Sequence, residues 1–89
     1  MPKVTWTGYA LRQRVKIDSR YQKAISEKVR ELEKWPDVHL DTKKLKGSVS
    51  HFRVRVGKYR IIFEVQKGDP VVIEIQEVLR RTDHTYSNF

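Results

Sequence analysis

The stretch that decides the fold is residues 51–63, HFRVRVGKYRIIF. Apolar and polar side chains alternate on both sides of Gly57-Lys58, with the period of two that is typical of a half-buried strand. Glycine at the first turn position suits a type II′ turn, which needs a positive φ there. The stretch therefore predicts a β-hairpin with a two-residue turn, in which Val56 faces Tyr59.

This register puts positive charges next to each other. Arg55 falls opposite Arg60, and Arg53 falls opposite Ile62 on the same side of the hairpin. Like charges directly across a strand pair destabilise it by a few tenths of a kcal/mol unless something anionic lies over them. Arginine suits phosphate because its planar fork donates bidentate hydrogen bonds and its charge is effectively permanent. The pattern favours an arginine-bearing surface that binds the backbone of a nucleic acid.

The arginine side of the hairpin is expected to carry other polar residues as well. Glu64 and Glu74 have the same parity as the arginines, so an internal network of salt bridges is an alternative to an external anion. Counting along the last predicted strand also brings Arg80 onto the arginine side. His51 has that parity as well, although a single histidine at the start of a strand is more often incidental.

The rest of the chain predicts two helices and further strands. Val4 and Trp6 indicate a short first strand, and residues 9–15 a first helix. A clearer helical stripe then ends at Trp35, since Pro36 disfavours the α conformation before it. A capping box of Ser19 with Gln22 is expected at the start of this helix. A turn at residues 67–70 and a strand over residues 71–80 follow the hairpin. The apolar stripe of the helix consists of Tyr21, Ala24, Ile25, Val29 and Leu32.

These elements predict an α+β fold in a single domain, residues 1–89. Two N-terminal helices would pack on one face of a small antiparallel β-sheet, with a short C-terminal helix or tail. The arginine side of the sheet would then stay open to a ligand.

Composition limits the function classes. The 89 residues include 19 Lys and Arg against 11 Asp and Glu, a net charge of +8, and six bases but no acid lie between Thr42 and Lys58. Such a basic segment is either a solvated face or a site for polyanions. The chain has no cysteine, so disulfides and thiolate chemistry are excluded. Neither a signal peptide nor a membrane-spanning run is evident, and a cytoplasmic location is expected.

The C-terminal stretch from Arg80 to Tyr86 contains the ingredients of acid-base chemistry. His84 and Tyr86 bring an imidazole and a phenol close in sequence to Arg80 and Arg81. Each has a structural alternative: His84 as a surface histidine, Tyr86 as a residue that closes the end of the core.

Three segments, Lys43 to Gly47, Phe52 to Phe63 and Arg80 to Tyr86, resemble the RelE/ParE toxin superfamily. The resemblance covers essentially the whole chain and is most specific in the hairpin. It implies the toxin half of a bacterial toxin-antitoxin pair and, in the RelE branch, an endoribonuclease that cuts mRNA in the ribosomal A site. In that branch the ribose 2′-OH attacks the adjacent phosphate without a metal or other cofactor, and a 2′,3′-cyclic phosphate results.

The resemblance also implies roles for individual residues. Arg60 and Arg80 would stabilise charge on the phosphate oxygens, Arg53 and Arg55 would clamp the substrate, and Tyr86 would position the nucleophile or stack on a base. Relatives with lysines at the two clamp positions could use them as bases, whereas arginine cannot practically lose its proton. The general base therefore stays open, with His84, Tyr86 and His51 as candidates in that order.

The resemblance to the RelE/ParE superfamily also implies binding partners. Ribosomal RNA phosphates would contact Lys43, Lys44 and Lys46, and Arg81 would also bind RNA. An acidic, flexible antitoxin would wrap the basic domain. The alternative function on the same scaffold is a ParE-like inhibitor of DNA gyrase that acts by protein binding, and a binding-only relative is a third possibility.

Overall fold

The computed structural model describes residues 2–36 and 42–80. The elements within these ranges are β1 (Lys3–Trp6), α1 (Gly8–Val15), α2 (Ser19–Glu31), β2 (Thr42–Lys44), β3 (His51–Val56), β4 (Tyr59–Gln66) and β5 (Val72–Arg80). A short 3₁₀ turn, Leu32–Lys34, follows α2. The predicted first strand, both helices and the three C-terminal strands are present, whereas β2 was not predicted.

The five strands form one sheet in the order β1-β5-β4-β3-β2. The predicted α+β class is confirmed, but the expectation of a purely antiparallel sheet is wrong, because β1 pairs with β5 in parallel. A parallel partner is possible here because the chain returns to β1 only after all the intervening elements have formed a long crossover. The predicted C-terminal helix or tail lies outside the described residues. None of the helices within the described ranges is long and apolar enough to cross a membrane.

The hairpin of β3 and β4 forms as predicted. Its register pairs Val56 with Tyr59, Arg55 with Arg60 and Arg53 with Ile62. Gly57 has a φ of 58°, the positive value that the tight turn requires. The sequence pattern and turn chemistry are therefore sufficient to set the register of this part of the sheet.

Caps on the helices differ in detail from the prediction. The Thr7 hydroxyl accepts from the Ala10 N–H and begins α1. For α2 the cap is the Asp18 carboxylate, which accepts from the Arg20 N–H at 2.9 Å, so the predicted capping box is wrong. Gln22 donates instead to the Ile17 carbonyl. The α conformation ends before Trp35, as the last turn tightens into the 3₁₀ form.

One side of the sheet faces the helices and carries the core. The fully buried residues there include Phe63, Ile61, Ile73 and Ile75 from the sheet, which pack with Ala10, Ile25 and Leu32 from the helical layer. Trp35 closes this end with edge contacts to Phe52 and Phe63, whose ring centroids lie 4.9 and 5.6 Å away. Burial of each large apolar side chain contributes about 1.5–3 kcal/mol, so this side is fixed as the interior.

A β-bulge in β5 changes which residues share a face. Ile62 pairs with Glu77 but Phe63 pairs with Ile75, so Gln76 is the extra residue. Beyond the bulge Val78 becomes a core residue and Leu79 lies opposite Arg60. The expectation that Arg80 shares a face with Arg60 is therefore wrong, since Arg80 pairs with Tyr59 on the opposite parity.

Candidate nucleic-acid interface

The surface on the side of the sheet away from the helices is called here the arginine face, and it is defined by Lys43, Arg53, Arg55 and Arg60. Lys43 pairs with Arg53 across β2 and β3, and Arg55 pairs with Arg60 across β3 and β4. Paired residues on neighbouring strands lie about 5 Å apart. The four bases thus occupy two adjacent cross-strand rows at the turn end of the hairpin.

The arginines differ in depth. Arg60 is only 7% exposed and lies beside Ile62, which is 8% exposed on the same face. Arg53 and Arg55 are half-buried, and Lys43 is exposed. A guanidinium in a low-dielectric setting interacts more strongly with an anion than it does in water. The face therefore grades from a solvated lysine at the edge strand to a buried, permanently charged arginine at its centre.

Acidic residues lie at the other end of the same face. The Glu64 carboxylate is 3.4 Å from Nε2 of His51 and accepts from Ser50 and Gln66 at 3.4 and 2.9 Å. Glu74 accepts from Gln76 at 3.3 Å. Glu64 and Glu74 make these contacts towards the end of the face away from the hairpin turn. Glu77 pairs with Ile62 and so lies in the row of Arg53, nearer the arginines.

His51 joins β3 to the loop before it and to β4. Its Nδ1 lies 2.7 Å from the Ser48 hydroxyl, which already accepts the backbone N–H groups of Ser50 and His51. Both ring nitrogens of His51 thus face a polar partner within the protein, Ser48 at Nδ1 and Glu64 at Nε2, which disfavours His51 as the general base.

The three lysines before the hairpin do not act as one group. Lys43 lies on the arginine face, but Lys44 pairs with Phe52 and so has the parity of the opposite side. Lys46 is exposed in the turn at residues 46–47. The structure brings only Lys43 into the rows formed by Arg53 and Arg55. Alternation of strand faces separates the other two.

Of the C-terminal candidates, only Arg80 lies within the described residues. Arg80 is exposed at the end of β5 and lies off the arginine face. Arg81, His84 and Tyr86 lie outside the described residues. Within the described ranges, no group of three or more His, Asp or Glu side chains is placed to hold a metal ion.

Sequence reasoning missed two residues that shape the site. Thr7 donates its hydroxyl to the Gln76 carbonyl at 3.3 Å, and Gln13 accepts from the Val78 N–H at 2.7 Å. Both belong to the start and middle of the first helical segment and hold the bulge that decides which β5 residues face Arg60. Their only sequence signal is polarity on a helix that packs against the sheet.

Comparison with known proteins decides the family. The sequence profile of the ParE toxin of type II toxin-antitoxin system, parDE, matches residues 4–84. The chain belongs to this family. It is thus a type II toxin of the RelE/ParE superfamily, as the hairpin motif indicated.

Individual relatives agree with this family. Toxin RelE3 of Methanocaldococcus jannaschii is 47% identical over 45 residues, which are 51% of this chain and 48% of that protein. The match thus spans about half the length of this curated relative.

Solved structures share the fold. The chain resembles the toxin in the RelB-RelE complex of Methanococcus jannaschii with a TM-score of 0.72 and 28% identity, over 96% of this chain and 98% of that one. For the archaeal RelE-RelB complex of Pyrococcus horikoshii the TM-score is 0.76 at 23% identity, over 92% and 97%. The isolated E. coli RelE toxin gives 0.77 at 20% identity, over 99% and 94%.

Proposed function

We propose that this toxin is an endoribonuclease that cuts mRNA on the ribosome and thereby inhibits translation. The observation that carries the proposal is the direct opposition of Arg55 and Arg60 in the hairpin, with Arg53 in the adjacent row. Like charges directly across a strand pair repel each other, and a phosphate held over the two rows offsets that repulsion.

The proposed reaction needs no metal. The ribose 2′-oxygen forms a bond to the adjacent phosphorus, the bond from phosphorus to the 5′-oxygen breaks, and a 2′,3′-cyclic phosphate remains. A base takes the 2′-OH proton, and an acid returns a proton to the departing 5′-oxygen. Negative charge that develops on the phosphate oxygens is stabilised by fixed guanidinium donors.

The arginine face supplies charge stabilisation in this scheme. Arg60 is the central electrostatic group, and Arg53 and Arg55 clamp the scissile phosphate. Lys43 extends the row along the edge strand, where it contacts a neighbouring phosphate. Arg80 contacts the RNA from the end of β5 rather than from the arginine face itself.

Proton transfer falls to other residues, since arginine stays charged at neutral pH. His84 is the first candidate for the general base and Tyr86 the second, and both follow β5 in the chain. Lys44, Lys46 and Arg81 serve as RNA contacts outside the reacting phosphate, on ribosomal RNA or on the message. The reaction takes place in the cytoplasm, where the ribosomes are.

The experiment is expression in a translating extract, followed by mapping of 5′ ends on a reporter mRNA with and without ribosomes. We expect cuts that appear only with ribosomes and leave cyclic phosphate ends. Arg55→Gln and Arg53→Gln should each reduce cutting about tenfold or more, as expected for loss of a charge-assisted contact. Lys23→Gln, on the exposed side of α2, is the matched control. Full activity of the arginine variants would refute the assignment of the site.

A gyrase inhibitor is the second candidate, and the match to the ParE family profile favours it. In that function the same basic surface would bind protein rather than cut RNA. A supercoiling assay with purified gyrase separates the two. Inhibition of gyrase together with an intact transcript in the translating extract would select the inhibitor.

An antitoxin partner belongs to the proposal in either case. Several solved relatives are toxin-antitoxin complexes by name, including RelBE2 of Mycobacterium tuberculosis. A net charge of +8 suits an acidic, flexible polypeptide that folds on the toxin surface. Co-expression with a cognate antitoxin should restore growth and yield a complex that purifies as one species.

A further inference from the structure

A carboxylate lies within the arginine face, close to its bases. Glu77 pairs with Ile62 across β5 and β4, and Ile62 pairs with Arg53 across β4 and β3. Residues that pair across neighbouring strands share a face, so Glu77 and Arg53 stand in one row with β4 between them. At about 4.8 Å from strand to strand, their Cα atoms are about 10 Å apart. Arg60 is a diagonal neighbour of Glu77, because it lies two residues before Ile62 on β4.

The β-bulge puts Glu77 on this face. Ile75 belongs to the core, and in regular alternation Gln76 would point away from the helices and Glu77 would return to the core side. The bulge adds Gln76 to the strand, so Glu77 lies on the arginine face and Val78 is the next core residue. Counting by twos along the sequence assigns Glu77 to the opposite side, so the sequence pattern alone does not reveal this placement.

The Glu77 carboxylate differs from those of Glu64 and Glu74, which lie further along the face. Each of these two accepts a hydrogen bond from a neighbouring polar side chain. Glu77 is half-buried, and within the described ranges its carboxylate makes no hydrogen bond or ion pair with another described residue. Because a half-buried polar group normally has a hydrogen-bonding partner, this arrangement favours a donor supplied by a ligand.

A phosphate is excluded as the ligand of this carboxylate, because both groups are anions. An ionised carboxylate only accepts hydrogen bonds, so the group that it binds must present donors. On a single RNA strand, such donors are found on the ribose hydroxyl and on the edges of the bases. The spacing favours a base, since Glu77 lies two strands away from Arg53 and Arg55, the proposed phosphate ligands.

Apolar side chains lie between the cations and this acceptor. Ile62 stands between Arg53 and Glu77 in their row and is 8% exposed. Leu79, which is half-buried, follows Glu77 by two residues on the same face and pairs with Arg60. A patch of this kind contacts the flat side of a nucleobase while a polar group at its border contacts the base edge. The face therefore presents a cationic site, an apolar patch and an acceptor in that order.

We infer that Glu77 selects guanine in the bound RNA strand. The Watson–Crick edge of guanine carries two adjacent donors, N1–H and the N2 amino group, which match the two oxygens of a carboxylate. Adenine, cytosine and uracil each have an acceptor next to a donor on that edge, so one carboxylate oxygen would face a lone pair. For its ligand, RNA, the inference rests on the proposed function, and it adds the preferred base.

The first test measures binding of the full chain to 2′-O-methyl RNA pentamers of uridine in which the central base is G, A, C or U. The guanine probe should bind about tenfold or more tightly than the others, as expected for one bidentate base contact. A probe with central inosine, which lacks the N2 amino group, should bind with intermediate affinity. Equal affinity of the parent protein for all probes, or no binding of any, overturns the inference.

Substitution of Glu77 separates base selection from net charge. Glu77→Gln should lose the preference for guanine and gain one for adenine or cytosine, because an amide matches an adjacent donor and acceptor. Glu77→Asp keeps the charge but shortens the side chain, so it should also lose the preference. Glu27→Gln, exposed on α2, changes the charge equally and should retain it. If Glu77→Gln binds every probe more tightly by the same factor, Glu77 only repels phosphate and the inference is overturned.

The outcome is separable from that of the proposed function. In the translating extract, cuts by the parent should be enriched next to guanine, and cuts by Glu77→Gln should move to adenine or cytosine at the same position. Cutting without any such enrichment refutes the inference and leaves the endoribonuclease intact. Guanine-selective binding without cutting refutes the endoribonuclease and leaves the inference standing.

Discussion

The Oε1 atom of Gln13 accepts a hydrogen bond from the backbone N–H of Val78 at 2.7 Å. Val78 pairs with Ile61 of β4, and a side chain from α1 supplies the acceptor for its N–H. The contact ties the first helix to the strand that passes next to the centre of the arginine face. It also keeps Val78 in the core and Leu79 opposite Arg60.

Replacement of this acceptor should destabilise the protein. Gln13→Met keeps the shape of the side chain but leaves the N–H of Val78 unsatisfied in a buried setting, at a cost of about 1–3 kcal/mol in the free energy of unfolding. Gln13→Glu retains an oxygen acceptor and should cost less. Urea denaturation measures both. A Met variant as stable as the parent would show that water replaces the contact.

Salt dependence of RNA binding tests the arginine face. Each phosphate contact to a single strand contributes about −0.7 to the slope of log affinity against log salt. We expect Arg53→Gln and Arg55→Gln each to make the slope less steep by about this amount. The ligand should be a 2′-O-methyl RNA oligonucleotide, which cannot be cut. An unchanged slope in both variants, with Arg12→Gln as control, would remove these arginines from the interface.

The hairpin shows what the sequence can determine. A two-residue turn and the alternation of apolar and polar side chains set the register of β3 and β4. The sequence alone therefore predicts that Arg55 faces Arg60. The bulge could not be found in this way. Gln76 and Glu77 carry no glycine or other turn signal, and the strand leaves its regular alternation because α1 provides partners for the bulged backbone.

Other differences have similar causes. β2 is three residues long with two lysines, so it has no apolar alternation to mark it. This segment is extended because it pairs with β3, and its own composition does not favour a strand. The parallel pairing of β1 with β5 joins segments from opposite ends of the chain, and no local pattern encodes it. The N-cap of α2 is Asp18, one residue before the predicted Ser19, because the Asp18 carboxylate accepts the Arg20 N–H.

Gly57 should be sensitive to substitution through its backbone alone. A Cβ at this position would meet no atom within 4 Å, but its φ of 58° disfavours side chains. Gly57→Ala should therefore lower the free energy of unfolding by about 1–2 kcal/mol, and Gly57→Asn by less. Gly8→Ala, in the first turn of α1, should not destabilise comparably. Thermal or urea unfolding of the three variants measures the difference.

The cap of α2 predicts a pH effect on stability. Hydrogen bonds from the backbone and then the side chain of Arg20 lower the pKa of Asp18 below its ordinary value of 3.8. A lowered pKa in the folded state means that the ionised carboxylate stabilises the fold above pH 3.8 and that this contribution is lost as the pH falls further. Unfolding of the parent and of Asp18→Asn should therefore be compared from pH 6 downwards. The stability difference between them should be constant at first and change only in the acidic range.

The parallel pairing of residues 3–6 with residues 72–75 has a consequence during synthesis. In a nascent chain, residues 3–6 are made before their partner strand, and all the intervening helices and strands separate the two. The central hairpin can form while the chain is still being made, whereas the sheet closes only after release from the exit tunnel. A polypeptide interrupted before residue 72 lacks the strand that completes the sheet, so the described fold can form only after residues 72–80 have been made.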